Sequence, residues 1–302
     1  MKRVQVLLSS FNGSKYIKQQ IDSLLQQQEV EVHCLVRDDG SDDDTINILS
    51  QYQTQFKNFK YYCGNNVGYR ASFMELIRMS GDFEYYAFSD QDDVWEPLKL
   101  KIAIDKISSS EENIPSMYFS NCTLVNDNLE KTGMLHSGGK RIIPDKQSAI
   151  VQGFAHGCTM VINRLSRDII NDYVPIQNYS HDFWIPLLHI FLGKVIYDEE
   201  SYILYRQHSN NIFGKNRSFQ RILKDKLAFL KSNKNFYSTT AKDLLTGYSR
   251  IMTKSDCDLL LEVSDYNNSL ANKMKILSNK QVKKNSARGT FILKLLILFS
   301  RF

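Results

Sequence analysis

The 302-residue chain is poor in several features that would have placed it quickly. It has only five cysteines, Cys34, Cys63, Cys122, Cys158 and Cys257, an odd number with no Cys-x-x-Cys pair. That spacing excludes a zinc ribbon, speaks against a disulfide framework and suits a reducing compartment. With 5 prolines and 14 glycines it is neither collagen-like nor low in complexity. No run of about 20 apolar residues is present, so no helix is expected to span a bilayer. The apolar run behind the basic start is about five residues long, too short for the core of a signal peptide. Basic residues are scattered rather than clustered, and no nucleic-acid recognition motif is visible, so a nucleic acid is not expected as partner. The net charge of +5 is mildly basic, which suits an anionic substrate or an acidic membrane surface.

What the chain does have is apolar material in regular order. Hydrophobic residues make up 42% and aromatics 12%, enough to build a packed core. Residues 3–8 form a β-branched and leucine run that stops at the turn-forming Ser9-Ser10-Phe11-Asn12-Gly13. Ile17, Ile21, Leu24 and Leu25 then recur at helical spacing, and residues 30–36 return to strand chemistry. The alternation continues with a helix over 45–56 and a strand over 59–63, then a helix over 69–79 and a strand over 85–88. Such order is the signature of parallel βαβ units, and the expected fold is α/β with a mostly parallel sheet flanked by helices. A helix over 98–108 and strands over 117–125, 159–162, 194–197 and 202–205 follow, with a helix over 182–191. Residues 131–150 read as a loop.

Beyond about residue 215 the chain becomes polar and lysine-rich, with helical periodicity and no strong strand. The expected division is a catalytic domain over 1–215 and a helical C-terminal extension over 216–302. Within the first, residues 1–95 would hold the nucleotide half and 96–215 the acceptor half.

In open parallel sheets ligands bind beyond the carboxyl ends of the strands. Three polar clusters fall at such ends, Ser9–Asn12, Asp38–Ser41 and Ser89–Asp93. Any one of them reads equally well as an ordinary turn; three on one rim point to a site. Asp90 and Asp92, two carboxylates one residue apart after a short apolar strand, suit a hard cation such as Mg²⁺ or Mn²⁺ that bridges phosphates. Asp93, ahead of Val94-Trp95-Glu96-Pro97, reads instead as the cap of a helix.

These clusters, with Asn66-Val67-Gly68, His181-Asp182 and Tyr205-Arg206-Gln207-His208-Ser209-Asn210-Asn211, resemble the ordered motifs of family 2 glycosyltransferases. The resemblance covers about residues 2–215, and the last segment is similar to that of rhamnosyltransferase-like members. It implies a GT-A fold, a dTDP- or UDP-sugar donor and inversion at the transferred carbon. Ser9, Phe11 and Asn12 would lie beside the nucleotide, with Phe11 in place of a more usual tyrosine. Asp39 would accept the pyrimidine N3–H, Asp38 would orient its loop, and Arg70 would pair with phosphate. Asp90 would contact ribose or sugar, Asp92 and His208 the metal, and Arg206 the diphosphate. Asp182 would be the general base, with His181 where an acidic residue is usual. His181, Trp184 and Gly157, the last within Gly153–Cys158, would line the acceptor side. The implied acceptor is a glycan, lipid-linked, in cell-surface polysaccharide synthesis.

Two other classes compete. A sugar nucleotidyltransferase would need a glycine-rich basic phosphate loop after the first strand, and Ser9–Gly13 has one glycine and no arginine. A non-catalytic sugar-nucleotide binding module would need no base, whereas Asp182 is present. The apolar tail over 288–302, preceded by Lys280, Lys283 and Lys284, reads in two ways. It is an interfacial helix on the inner face of the cell membrane, or it packs on the catalytic domain or on a second subunit in a homodimer. The expected location is cytoplasmic, with peripheral attachment to the membrane if the first reading holds.

Overall fold

A computed structural model describes residues 1–109, 113–136, 138, 142–208 and 235–302. The first strand, β1 (Lys2–Ser10), alternates its side chains between two cores. Val4, Val6 and Leu8 enter one core with α1 (Ile17–Leu25), while Leu7 enters the other with α3 (Gly68–Arg78). That alternation is the period of two of an extended chain, and both sides being apolar means helices cover both faces. α1 buries Ile17, Ile21 and Leu24, one stripe of its surface. Each such side chain contributes about 1.5–3 kcal/mol by leaving water.

β1 pairs in parallel with β2 (Val30–Asp38) and β4 (Tyr85–Ser89), and β2 pairs in parallel with β3 (Phe59–Cys63). Between β2 and β3 lies α2 (Thr45–Gln55). The register sets Ser10 beside Asp38, Asp38 beside Cys63 and Leu8 beside Ser89. All four strands therefore end on one edge, and the polar clusters that follow β1, β2 and β4 are neighbours.

The second half of the sheet departs from the parallel pattern. A two-residue strand, β5 (Val94–Trp95), follows Asp93 directly and runs antiparallel to β9 (Lys194–Arg206). The helix expected over 98–108 is α4 (Lys99–Ser108), and the residue that caps it is Leu98. Asp93 is thus not a helix cap. β6 (Ser116–Val125) is parallel to β9, and β8 (Val161–Asn163) is antiparallel to both β4 and β6. The two strands expected over 194–205 are one long strand with register shifts against β6. The stretch expected as a loop holds β7 (Lys131–Met134) and a short helix, α5 (Lys146–Val151). The sheet order is β3-β2-β1-β4-β8-β6-β9-β5, with β7 paired to β6.

α6 (Arg164–Asp172) and α7 (His181–Leu192) cover one face. Against them pack α8 (Phe236–Tyr248), α9 (Lys254–Ser264), α10 (Leu270–Ser278) and α11 (Ala287–Leu298), the helical C-terminal region. Their buried side chains, among them Leu244, Leu260, Leu293 and Ile297, belong to the same core as Trp184 and Leu188 of α7. Buried Asp243 of α8 accepts hydrogen bonds from Tyr173 (2.7 Å) and Tyr179 (2.8 Å), and so ties this region to the segment that leads into α7. The expected boundary near 215 lies outside the described residues, as does the Ser209-Asn210-Asn211 end of the last motif.

Candidate active site

The strand ends enclose a cleft of about 650 Å³, within the range of small-molecule sites. Its first wall is the β1 loop. Ser9 bonds Ser72 of α3 at 2.6 Å, and Asn12, in a left-handed conformation (φ 48°), accepts from the backbone of Asp42. Phe11 is 44% exposed on the rim, with its face open. Gln91 clamps this loop: its amide accepts from Phe11 N (2.9 Å) and donates to Phe11 O (3.0 Å). The same amide lies where a Cβ on Gly13 would be, so any side chain at position 13 would displace the Gln91 clamp. Gln91, the middle residue of Asp-x-Asp, carried no signal in the sequence, because the contact spans 80 positions.

The two adjacent aspartates after β2 divide their work. Asp38 is wholly buried and does not line the cleft. Its carboxylate accepts from Ser10 Oγ, Gly40 N, Ser41 N and Ser41 Oγ, so it shapes the loop from beneath. Asp39 does line the cleft. Arg37 and the backbone N–H groups of Val67 (3.0 Å) and Gly68 (2.8 Å) hold it in place. Arg37 also pairs with Glu75. Arg70 lies outside the lining, where its neighbour Tyr69 stands instead, with Arg70 Nε donating to the Tyr69 hydroxyl at 3.2 Å.

The turn after β4 carries the densest charge. Asp90 and Asp92 both line the cleft, and His208 Nε2 meets Asp92 Oδ2 at 2.8 Å. The His208 ring stacks on Tyr16, 5.0 Å between centroids. Tyr16 and Lys15, at the start of α1, also bond Asp127 on the far rim. Burial, then the charges of Asp92 and Asp182, push the Asp90 carboxyl up to about 7. Asp93 sits deeper and is raised well above its usual range, by burial first and then by Asp92 and Asp90. Among the described residues Asp90, Asp93 and Cys158 form one group of close donor atoms, within 4.8 Å of one another. Cys158 is likewise pushed up, by its contact with Cys122 and by burial.

Arg206 is not on the cleft wall. Its guanidinium is buried and donates to the backbone carbonyls of Asp92 (2.8 Å) and Asp127 and to Gln19 Oε1 (2.7 Å), over the ring of Tyr16. It braces the turn that carries Asp90 and Asp92, instead of facing the diphosphate as expected.

His181 and Asp182 open α7, and both line the cleft, Asp182 in the first turn where the helix dipole favours a carboxylate. The His181 ring is buried between Phe73 (3.9 Å) and Phe88 (5.2 Å), and neither of its nitrogens has a hydrogen-bond partner. Burial lowers its pKa to about 4, so the ring is neutral. A Cβ on Gly157 would overlap that ring, which makes glycine obligatory at this contact. Trp184 is elsewhere: it is fully buried, stacked on Tyr179 at 4.8 Å and absent from the cleft. Two residues along a helix turn a side chain about 200°, so a cleft-facing Asp182 sends Trp184 into the core. His156 and Tyr205, which stood within two of the motifs without a role of their own, complete the wall, their ring centroids 6.4 Å apart.

Residues 5–170, more than half the chain, match the sequence profile of Glycosyl transferase family 2. The chain belongs to that family. This family 2 glycosyltransferase is 28% identical to the dTDP-rhamnosyl transferase RfbG of Shigella flexneri over 232 residues, 70% of this chain and 75% of that one. It is 25% identical to an uncharacterised glycosyltransferase of Nostoc, covering 69% of this chain and 66% of the relative. Solved structures of Staphylococcus aureus TarS residues 1–349 share its fold. The UDP complex has a TM-score of 0.57 at 16% identity, over 93% of this chain and 76% of TarS. The UDP-GlcNAc complex has a TM-score of 0.58. The GT-A architecture expected from the motifs is the one found.

Proposed function

We propose that this glycosyltransferase moves a sugar, L-rhamnose in our reading, from a dTDP- or UDP-sugar to a lipid-linked glycan acceptor in cell-surface polysaccharide synthesis, with inversion. The observation that carries it is that Asp182 shares one cleft with Asp39, Asp90, Asp92 and His208. The rhamnose and dTDP assignments are supported by the likeness to RfbG and go no further than it.

Asp39 has a carboxylate lone pair left for the pyrimidine N3–H, beside the open face of Phe11 and the Ser9–Asn12 loop. A donor diphosphate entering this cleft meets five aspartates and one lysine. Electrostatics of that sign would repel it, so a divalent cation fits the donor set. Asp92 and His208 already converge, and with Asp90 they would hold Mg²⁺ or Mn²⁺. Bound there, the cation supplies charge stabilisation to the departing nucleoside diphosphate. Asp182 accepts the proton of the acceptor hydroxyl as that oxygen attacks the sugar C1 and the C1–O bond to the diphosphate breaks. Inversion requires Asp182 and the departing diphosphate to stand on opposite faces of the sugar C1. Neutral His181, packed between Phe73 and Phe88 and against Gly157, holds the first turn of α7 and so places Asp182.

The test is a panel of UDP-, dTDP- and GDP-sugars with Mg²⁺ or Mn²⁺, read as released nucleoside diphosphate and as thermal shift. Asp182→Asn should keep donor-induced stabilisation and lose about 10²–10⁴-fold in turnover. Full turnover by that variant would refute the assignment of the base.

A further inference from the structure

The last 33 residues, 270–302, carry eight lysines and arginines and no acidic residue. The remaining 269 carry 30 basic against 33 acidic residues, so the whole positive balance of the protein resides in this segment. The structure shows what accompanies that charge. α11 buries Leu293 and Ile297 in the core and leaves Phe291 (63%), Leu295 (36%), Leu298 (52%) and Phe299 (68%) exposed. Positions 291, 295, 298 and 299 form one stripe of a helix, opposite 293 and 297. On α10, which packs beside it, Leu270 and Met274 form a second exposed apolar stripe. The exposed Lys280 and Lys283 lie on the connection between the two helices, and the exposed Arg288 in the first turn of α11. Among the described residues no helix is long and apolar enough to cross a membrane, and twelve residues of α11 reach only about 18 Å.

We infer that the α10–α11 face is a monotopic docking surface for an anionic lipid bilayer. Exposed phenylalanine and leucine enter the boundary between headgroups and acyl chains, while the lysines and arginines beside them meet phosphate. The charge selects this occupant over a second copy of the chain, since pairing two such faces would bring two wholly basic segments together. The face is also coupled to the cleft. Ser148 Oγ of α5 donates to Gln281 O (3.0 Å), and Gln152 and Asn285 exchange two hydrogen bonds of 2.7 Å. Gln152 leads directly into Gly153–Cys158, whose last three residues line the cleft near Asp182. On the transferase reading, docking would set the acceptor side of the cleft at the height of a lipid-borne glycan.

The full-length protein is mixed with phosphatidylcholine vesicles, with or without phosphatidylglycerol, at low and high salt, and sedimented. Binding is expected only with phosphatidylglycerol and should fall as salt rises. Phe291→Ser with Phe299→Ser should weaken it roughly tenfold or more, without change in melting temperature, because both side chains are exposed. Lys280→Glu with Lys283→Glu, on the surface, should weaken it through charge alone. An absence of sedimentation with anionic vesicles, or an unchanged partition in both variants, would overturn the inference. So would a dimer in sedimentation equilibrium that the double Phe variant dissolves, which would give the face to a second copy. Donor hydrolysis in solution does not depend on this face, so its loss would count against the transferase reading and not against docking.

Discussion

Gly157→Ala probes how tightly the proposed base is placed. The added methyl would overlap His181 Nε2, and would stand 2.7 Å from its Cε1 and 3.0 Å from its Cδ2. The imidazole cannot turn aside freely, because Phe73 and Phe88 flank it and it is 4% exposed. Either the ring retreats or α7 shifts, and Asp182 is the next residue on that helix. Overpacking of this kind costs about 1–3 kcal/mol of stability. The ring must move by roughly 1 Å, and misplacing a catalytic group on that scale costs on the order of 10²-fold in rate. Nucleoside diphosphate release with acceptor present, together with a thermal melt, measures both effects. The control is Gly157→Ala combined with His181→Ala, which removes the ring the methyl strikes. That pair should regain stability over Gly157→Ala alone, a coupling visible in a double-mutant cycle. Wild-type turnover and melting temperature in Gly157→Ala would refute the contact, and with it the view that His181 holds the start of α7.

Other expectations follow from the same geometry. Asp38→Ala strands four donors, two of them backbone N–H groups, and should cost about 2–3 kcal/mol and raise the donor KM through the displaced Asp39 loop; an unchanged urea midpoint would contradict this. Trp184→Phe should lower the melting temperature while leaving acceptor KM within about threefold, as befits a core residue; a large KM effect would return Trp184 to the acceptor side. Burial holds His189 at about 4, like His181, with its Nδ1 bonded to Ile185 O and its Nε2 to Ser166. Both rings stay neutral in the folded chain above that pH, while the unfolded chain binds their protons below about 6.5. The stability they allow is present above 6.5 and is lost as pH falls toward 4, on the order of 3 kcal/mol for each. His189→Gln should flatten the fall in unfolding free energy between those values, and an unaltered slope would refute it.

The local order of this protein was open to reading from its residues. Apolar spacing marked α2, α3, α4 and α7 within a residue or two, and the alternation with strands implied the parallel β3-β2-β1-β4 half of the sheet. Parallel connection alone then brought Ser9–Asn12, Asp38–Ser41 and Ser89–Asp93 to one edge, because every strand in such a unit ends on the same side. The antiparallel half was not readable in this way. β5 has two residues and β8 three, too few for any period, and they are strands only because β9, β4 and β6 lie beside them.

The sequence by itself determined which chemical groups reach the rim, since strand ends and turn residues are set by neighbours along the chain. Only the tertiary structure decided what each group does there. Asp38 and Asp39 are adjacent and identical, yet one is a buried strut and the other faces the cleft, because Ser10 and Ser41 claim the first. Arg206 braces Asp92 and Asp127 from 114 and 79 residues away, and Gln91 reaches 80 residues back to Phe11. Trp184 turns inward and Gly157 makes way for His181 for the same reason. Contacts between distant segments consume some polar groups in bracing and leave others open to a ligand, and no local pattern encodes that division.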